Sequence, residues 1–185
     1  MSSKPRSLLA MGAVVASLFG PIAQSASAAT AAQLNADGQA ALNRLYSQSE
    51  RATRYAKEAR AVLVFPKIIK AGLLIGGQGG EGVLFVHGRP TGYYKIHAVS
   101  YGLQAGGQSF SYALFLMNDA ALTYLNKSDG WAIGSGPSVV VVDKGAAKST
   151  TSTTIAKDVY AFPFGQKGLM AGLGLEGSKI TRINK

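Results

Sequence analysis

The chain contains no cysteine among its 185 residues, and only 9 residues are acidic. The missing cysteine excludes disulfides, thiolate metal sites and a lipid anchor attached through a thioether, so packing alone must stabilise the fold. The acidic residues are outnumbered by 19 lysines and arginines, which gives a formal net charge of +10. A basic protein favours an anionic partner, although an ordinary cationic surface explains the same balance.

The N-terminal apolar run, Leu8 to Phe19, is too short for a transmembrane helix, because such a helix needs about 20 apolar residues. Lys4 and Arg6 precede the run, and the small residues Ala26-Ser27-Ala28 follow it. This order is typical of a secretory signal peptide. The pattern predicts a signal peptide over residues 1–28 and one mature domain over 29–185, which is periplasmic or secreted and peripherally associated with the envelope.

Residues from about Thr30 to Ala61 show the periodicity of a helix, because apolar side chains recur every three or four positions. The pattern predicts a single amphipathic helix over about 30–61, with basic residues on its outer side. Its apolar face is Leu34, Ala41, Leu45, Ala52, Ala56, Ala59 and Leu63.

The rest of the chain, about 62–185, has the texture of β-structure, with short apolar runs between Gly, Pro, Asn and Asp. We expect turns at Gly77–Gly82 and Gly88–Gly92, with Gly79 or Gly80 at positive φ. Residues 110–117 and 139–142 show no polar alternation, which predicts strands buried on both faces. The predicted fold class is α+β: an N-terminal amphipathic helix packed on a strongly coiled, Gly-rich antiparallel sheet or half-barrel.

No motif in the sequence argues for catalysis or for a cofactor. Residues 77–82 and 172–177 match the dinucleotide fingerprint G-x-G-x-x-G, but no helix is predicted after either match, so hairpin glycines are the better interpretation. His87 and His97 are the only histidines, which favours a turn residue and a surface residue over metal ligands. We therefore expect a non-enzymatic protein with no metal, no cofactor and no nucleic-acid partner.

The cations form the most suggestive pattern. Lys67 and Lys70 bracket the apolar pair Ile68-Ile69, which suits a membrane interface, with an ordinary strand-to-turn segment as the alternative. The candidate lipid-binding residues, all predicted to point outward, are Arg44, Arg51, Arg54, Lys57, Arg60, Lys67 and Lys70. A set of strand aromatics could line a pocket, but core packing is favoured; this set is Tyr93, Tyr94, Tyr101, Phe110 and Tyr112.

Four sequence blocks in order resemble the SYLF domain family of lipid-binding proteins over about Ala56–Ile183. The blocks are AKEARAVLVFPKIIKAGLLIGGQGGEGVL, YGLQAGGQSFSYALFLM, WAIGSGPSVVVV and YAFPFGQKGLMAGLGLEGSKI. The resemblance implies a non-enzymatic lipid-binding domain. Eukaryotic relatives bind phosphoinositide membranes near cortical actin, whereas exported bacterial relatives are described as lipid-binding or envelope-associated. The predicted signal peptide matches the exported group.

Together these observations predict a monomer that binds anionic lipid, or another phosphate-bearing amphiphile, at the cell envelope. One alternative is a carrier that holds an acyl chain inside the curved sheet. Another is a structural envelope protein whose partner is a protein or a polymer.

Overall fold

The computed structural model describes residues 29–127, 130–142, 157–168 and 177–185. The predicted signal peptide and the polar Ser/Thr segment at 147–154 therefore lie outside the described residues. The described part begins with two helices, α1 (Ala31–Gln48) and α2 (Glu50–Glu58). The prediction of one continuous helix is wrong at Ser49, which is extended and whose Oγ accepts a hydrogen bond from Ala52 N at 3.2 Å. Serine ends helices in this way because its hydroxyl competes for backbone groups.

A long hairpin forms the centre of the sheet. Strand β1 (Ala61–Val86) pairs antiparallel with β2 (Arg89–Leu116) along their whole lengths. The chain reverses at His87 and Gly88, which both have positive φ, as a two-residue hairpin turn requires. The predicted turn at Gly77–Gly82 is wrong, because these residues pair within β1, and neither Gly79 nor Gly80 has positive φ.

Short elements complete the sheet around β2. Helix α3 (Asp119–Leu125) is followed by β3 (Trp131–Ala132), β4 (Val139–Val141), β5 (Val159–Gly168) and β6 (Lys179–Ile183). One edge of β2 pairs with β1, and the other pairs with β6 along residues 93–97 and with β5 along 108–116. The β4–β5 pair is parallel, so the sheet is not purely antiparallel.

The two stretches without polar alternation differ in how deeply they are buried. Residues 110–116 are buried on both faces, as predicted. Residues 139–142 are not, because β4 lies at one end of the described sheet and Val141 is 41% exposed. A run of valines in an edge strand cannot be told from a buried strand by sequence alone.

The sheet is covered on one face by α1 and α2 and curls around a second core on the other face. The outer core joins Leu42 and Leu45 to Val64, Phe115 and Phe162. The inner core lies on the concave face and includes Phe65, Ile68, Tyr94, Phe110, Tyr112 and Trp131. The predicted fold class is confirmed: an α+β domain with helices packed on a coiled half-barrel sheet.

Glycines allow the long hairpin to bend back on itself. A Cβ on Gly72 would clash with Gly76 Cα, which marks a sharp bend in β1. A Cβ on Gly80 would lie 2.5 Å from Lys67 O and 3.1 Å from Ile68, so the two halves of β1 cross in contact. Glycine permits this approach of one backbone to another.

Across the described ranges, no helix has both the length and the apolar character needed to span a bilayer.

Candidate functional site

The structure separates the seven predicted lipid-binding cations. Five are exposed, Arg51 is half-buried and Lys70 is buried with 8% of its surface accessible. The outward orientation is therefore wrong for Lys70. The exposed five are Arg44, Arg54, Lys57, Arg60 and Lys67.

Lys70 points inward because of its spacing from Lys67. Alternate residues of a strand share a face, so Lys70 lies on the same inner face as Ile68, which is fully buried. Lys67 lies at an irregularity in the β1–β2 register, between Phe65 and Ile68, and remains exposed. Two cations three residues apart meet on one face of a helix but diverge on a strand.

Arg51 and Arg54 border a cleft of about 500 Å³ between the helices and β5. Its wall is formed where α1 ends and α2 begins, so the helix break at Ser49 shapes it. The lining residues are Leu45, Gln48, Ser49, Glu50, Arg51, Arg54, Val142, Phe162, Pro163 and Phe164.

Aromatic contacts fix α2 against the strand beside the cleft. Tyr55 stacks on Tyr160 with 4.1 Å between ring centroids and meets Phe162 edge-on at 5.8 Å. Phe162 packs edge-on against Phe115 at 5.2 Å in the outer core. Burial, followed by the neighbouring Tyr160, raises the pKa of Tyr55, so this phenol stays neutral beside Arg51. The apolar wall of the cleft is thus held in place by rings on two elements.

The cleft combines a cationic rim with an apolar floor. Arg51 and Arg54 contribute two guanidinium groups and Glu50 one carboxylate, whereas Leu45, Phe162 and Phe164 are buried apolar residues. Guanidinium groups bind phosphate oxygens through paired hydrogen bonds. An apolar pocket with a few charged groups at its rim is suited to an amphiphile with an anionic head.

The remaining predicted cations do not line this cleft. Arg60 lies 3.7 Å from Asp119, in an ion pair whose two side chains are largely exposed. Arg44, Lys57 and Lys67 are exposed elsewhere on the surface. Sequence reasoning therefore found two of the rim residues but grouped them with cations that the fold keeps apart.

Sequence reasoning also missed the β5 side of the cleft. Phe162, Pro163 and Phe164 are distant from the helices in sequence, and nothing in their local pattern links them to Arg51. Their one signal is that Phe162-Pro163 repeats Phe65-Pro66. Both segments flank the same residue of β2, since Phe65 and Pro163 pair with Tyr112 from opposite sides.

Three of the five strand aromatics belong to the core, as favoured from the sequence. Tyr94, Phe110 and Tyr112 are at most 2% exposed on the inner face. Tyr93 is half-buried, and the side chain of Tyr101 lies outside the described residues. The described inner face is therefore filled by its own side chains where a carrier would hold an acyl chain.

The two histidines occupy exposed positions, His87 in the hairpin turn and His97 on β2. Within the ranges that the structure describes, no three His, Asp or Glu side chains cluster as metal ligands would.

Comparison with known proteins finds a family model that is similar to part of the chain. Residues 97–185 match the family model Ysc84, described as "Las17-binding protein actin regulator". No curated protein matches the chain. The matched region covers just under half of the sequence and includes three of the four blocks that resemble SYLF domains, whereas the first block precedes it. Residues 97–185 are therefore similar to the SYLF family, which is a family of binding domains.

Proposed function

We propose that this protein binds an anionic, phosphate-bearing amphiphile at the cell envelope and catalyses no reaction. The observation that carries the proposal is the cleft in which Arg51 and Arg54 stand over an apolar floor. The family is known for binding lipids or actin regulators, which supports a binding role without naming the ligand.

The size and chemistry of the cleft suit part of a lipid. Ligand sites commonly enclose about 300–1,000 Å³, and this cleft holds about 500 Å³. A phosphate would pair with the two guanidinium groups, and the first carbons of an acyl or prenyl chain would contact Phe162 and Phe164. Residues 29–185 hold 17 lysines and arginines and 9 acidic residues, and the resulting formal charge of +8 adds long-range attraction to an anionic membrane.

The proposed location depends on the N-terminal sequence. A basic start, an apolar run and Ala26-Ser27-Ala28 support export, which would place the domain in the periplasm or outside the cell. The lipids available there include anionic phospholipids, so phosphatidylglycerol is a suitable probe.

The test is vesicle co-sedimentation of an Arg51→Glu/Arg54→Glu variant. Each cation near an anionic surface contributes about 1 kcal/mol, so reversing two of them removes roughly 2–4 kcal/mol. We expect at least about a 30-fold loss of binding to vesicles of phosphatidylcholine and phosphatidylglycerol. Wild-type binding should also weaken as salt screens the charges.

A matched control reverses two other exposed cations, Arg89 and Lys127. The Arg89→Glu/Lys127→Glu variant has the same net charge as the test variant, but its substitutions lie outside the cleft. Circular dichroism verifies that both variants fold. Equal losses in the two variants would show that net charge, not the cleft, determines binding. Lys70 is left unchanged because a glutamate there would be buried.

A protein partner is the second candidate. The description of the matched family names binding to another protein, and β4 ends the described sheet with Val141 41% exposed. Such an edge can accept an added strand. Native mass spectrometry of protein purified from the envelope distinguishes the two candidates: a retained lipid supports binding of an amphiphile, and a retained polypeptide supports a protein partner.

A further inference from the structure

On the outer side of the sheet, the bend of the long hairpin carries exposed apolar side chains among the residues that the structure describes. We call this region the hairpin corner; it comprises residues 66–80 of β1 and 95–109 of β2, around the sharp bend at Gly72 and Gly76. The helices pack on the outer core, to which β1 contributes Val62, Val64, Val83 and Phe85. No residue of 66–80 or 95–109 belongs to the described outer core.

Three large aliphatic side chains stand exposed on the hairpin corner. Ile69 is 53% exposed, Ile75 is 62% exposed and Val99 is 63% exposed. Val99 pairs with Gly77, two residues beyond Ile75, so Val99 and Ile75 lie on one face. Ile69 lies on the outer face because its neighbours Ile68 and Lys70 are both buried on the inner one. The three form most of the exposed large apolar residues of the described chain.

The exposed charged side chains of the corner are lysines. Residues 66–80 and 95–109 contain the exposed Lys67 and Lys95 and no aspartate or glutamate, and Lys70 lies on the inner face. Glu81, which pairs with Lys95 just beyond the corner, forms an ion pair with Lys185 at 2.7 Å. Neighbouring strands add two exposed lysines: Lys167 pairs with Ser109, which also faces Ile69, and Lys179 pairs with His97. Aliphatic residues surrounded by lysines are suited to a membrane interface. There the aliphatic side chains and the lysine methylene groups enter the apolar layer, and the ammonium groups reach the lipid phosphates.

We propose that the hairpin corner is the surface that inserts into an anionic bilayer, with Ile69, Ile75 and Val99 below the phosphates and Lys67, Lys167 and Lys179 at their level. This inference rests on the proposed function and adds to it the orientation of the protein on the membrane. A second copy of the chain is a poorer occupant, because a symmetric contact sets each lysine-rich patch against itself. The bilayer supplies the opposite charge.

The absence of cysteine makes a direct test possible. A single cysteine is introduced by Ile75→Cys and labelled with a polarity-sensitive fluorophore. With vesicles of equal parts phosphatidylcholine and phosphatidylglycerol, we expect a blue-shifted emission and protection from an aqueous quencher. The control label is at Thr123→Cys, an exposed position on α3, which packs against the inner core; its emission should not change.

Binding itself is tested with an Ile69→Ser/Ile75→Ser/Val99→Ser variant, whose substitutions are all on the surface. We expect at least about a tenfold loss of vesicle binding with unchanged circular dichroism. If wild type binds vesicles while the label at position 75 stays in water, the corner is not inserted and the proposed lipid binding stands. If wild type does not bind, both proposals are wrong. A blue shift that grows with protein concentration in the absence of vesicles would assign the corner to self-association and overturn the inference.

Discussion

Position 80 requires glycine because neighbouring atoms leave no room for a Cβ, and not because of its backbone angles. The sequence predicts positive φ at Gly79 or Gly80, and that prediction is wrong because both residues lie in a paired strand. What constrains Gly80 is the neighbouring stretch of β1, whose Lys67 O would lie 2.5 Å from an added Cβ. A glycine-rich stretch has the same sequence signature whether it turns or crosses another strand, so sequence cannot distinguish the two.

Two adjacent alanine substitutions test this residue. Gly80→Ala must displace backbone, and overpacking of this kind costs about 1–3 kcal/mol. We expect its melting temperature to fall by several degrees. In Gly79→Ala the new Cβ meets only Ile96 O at 3.6 Å, an ordinary contact, so stability should change by less than about 0.5 kcal/mol. Thermal melts of the two variants side by side are the measurement, and equal melting temperatures would contradict the crossing.

At the scale of elements, Asp158 joins three pieces of the fold. Its carboxylate accepts hydrogen bonds from Asn118 Nδ2 and from the backbone N and Oγ of Ser138, each at 2.8 Å. Asn118 caps α3 through Ala121 N, Ser138 precedes β4, and Asp158 itself precedes β5. The start of α3 follows from the local sequence, because asparagine at position 118 is a favoured N-cap residue. The hydrogen bond between Asn118 and Asp158 cannot be predicted from the sequence, because it forms only when the sheet brings distant segments together.

These hydrogen bonds lower the pKa of Asp158, with the backbone N–H of Ser138 as the largest cause. A carboxyl whose pKa is lower in the folded state stabilises the fold above its ordinary pKa near 3.8, and this contribution is lost as the pH falls through that value and below. We expect Asp158→Asn to lower stability by about 1 kcal/mol at pH 7, a figure that allows for solvent screening of this partly exposed carboxylate. The difference from wild type should shrink as the pH falls below 3.8. Urea unfolding of both proteins across this pH range is the measurement; a constant difference would show that ionisation of Asp158 is irrelevant.

The boundaries of elements were predicted less well than their types. The helical period correctly marks Leu34, Ala41, Leu45 and Ala52 as buried, but it continues through Ser49, where the chain changes direction. Several short predicted strands merge into β1 and β2, since glycine in a strand weakens the pattern without ending the pairing. The cleft could be predicted only in part. Its two arginines lie on a helix that the periodicity predicts, whereas its aromatic wall comes from β5, which is distant in sequence.

For the whole molecule, the sequence predicts an exported domain that begins at Ala29. Small residues at Ala26 and Ala28 suit cleavage by signal peptidase. N-terminal sequencing of the protein from an envelope fraction should therefore read Ala29 first. Protein from that fraction that still begins with Met1 would contradict cleavage.

The fold class of the whole molecule could be predicted because composition and periodicity indicate which faces are buried. That signal is summed over many residues, so single exceptions do not change it. The orientation of single side chains was not, as the inward position of Lys70 demonstrates. One register irregularity decides which face a lysine occupies.

The two-residue turn at His87 and Gly88 also sets the order in which the sheet is able to assemble. Pairing starts beside the turn with Val86 and Arg89 and ends with Ala61 and Leu116, so each new pair closes only a small additional loop. A chain that emerges N-terminus first completes both strands of this hairpin before β5 or β6 exists. During that interval one whole edge of β2 has no partner strand, and an unpaired edge of this length invites aggregation until the C-terminal strands arrive.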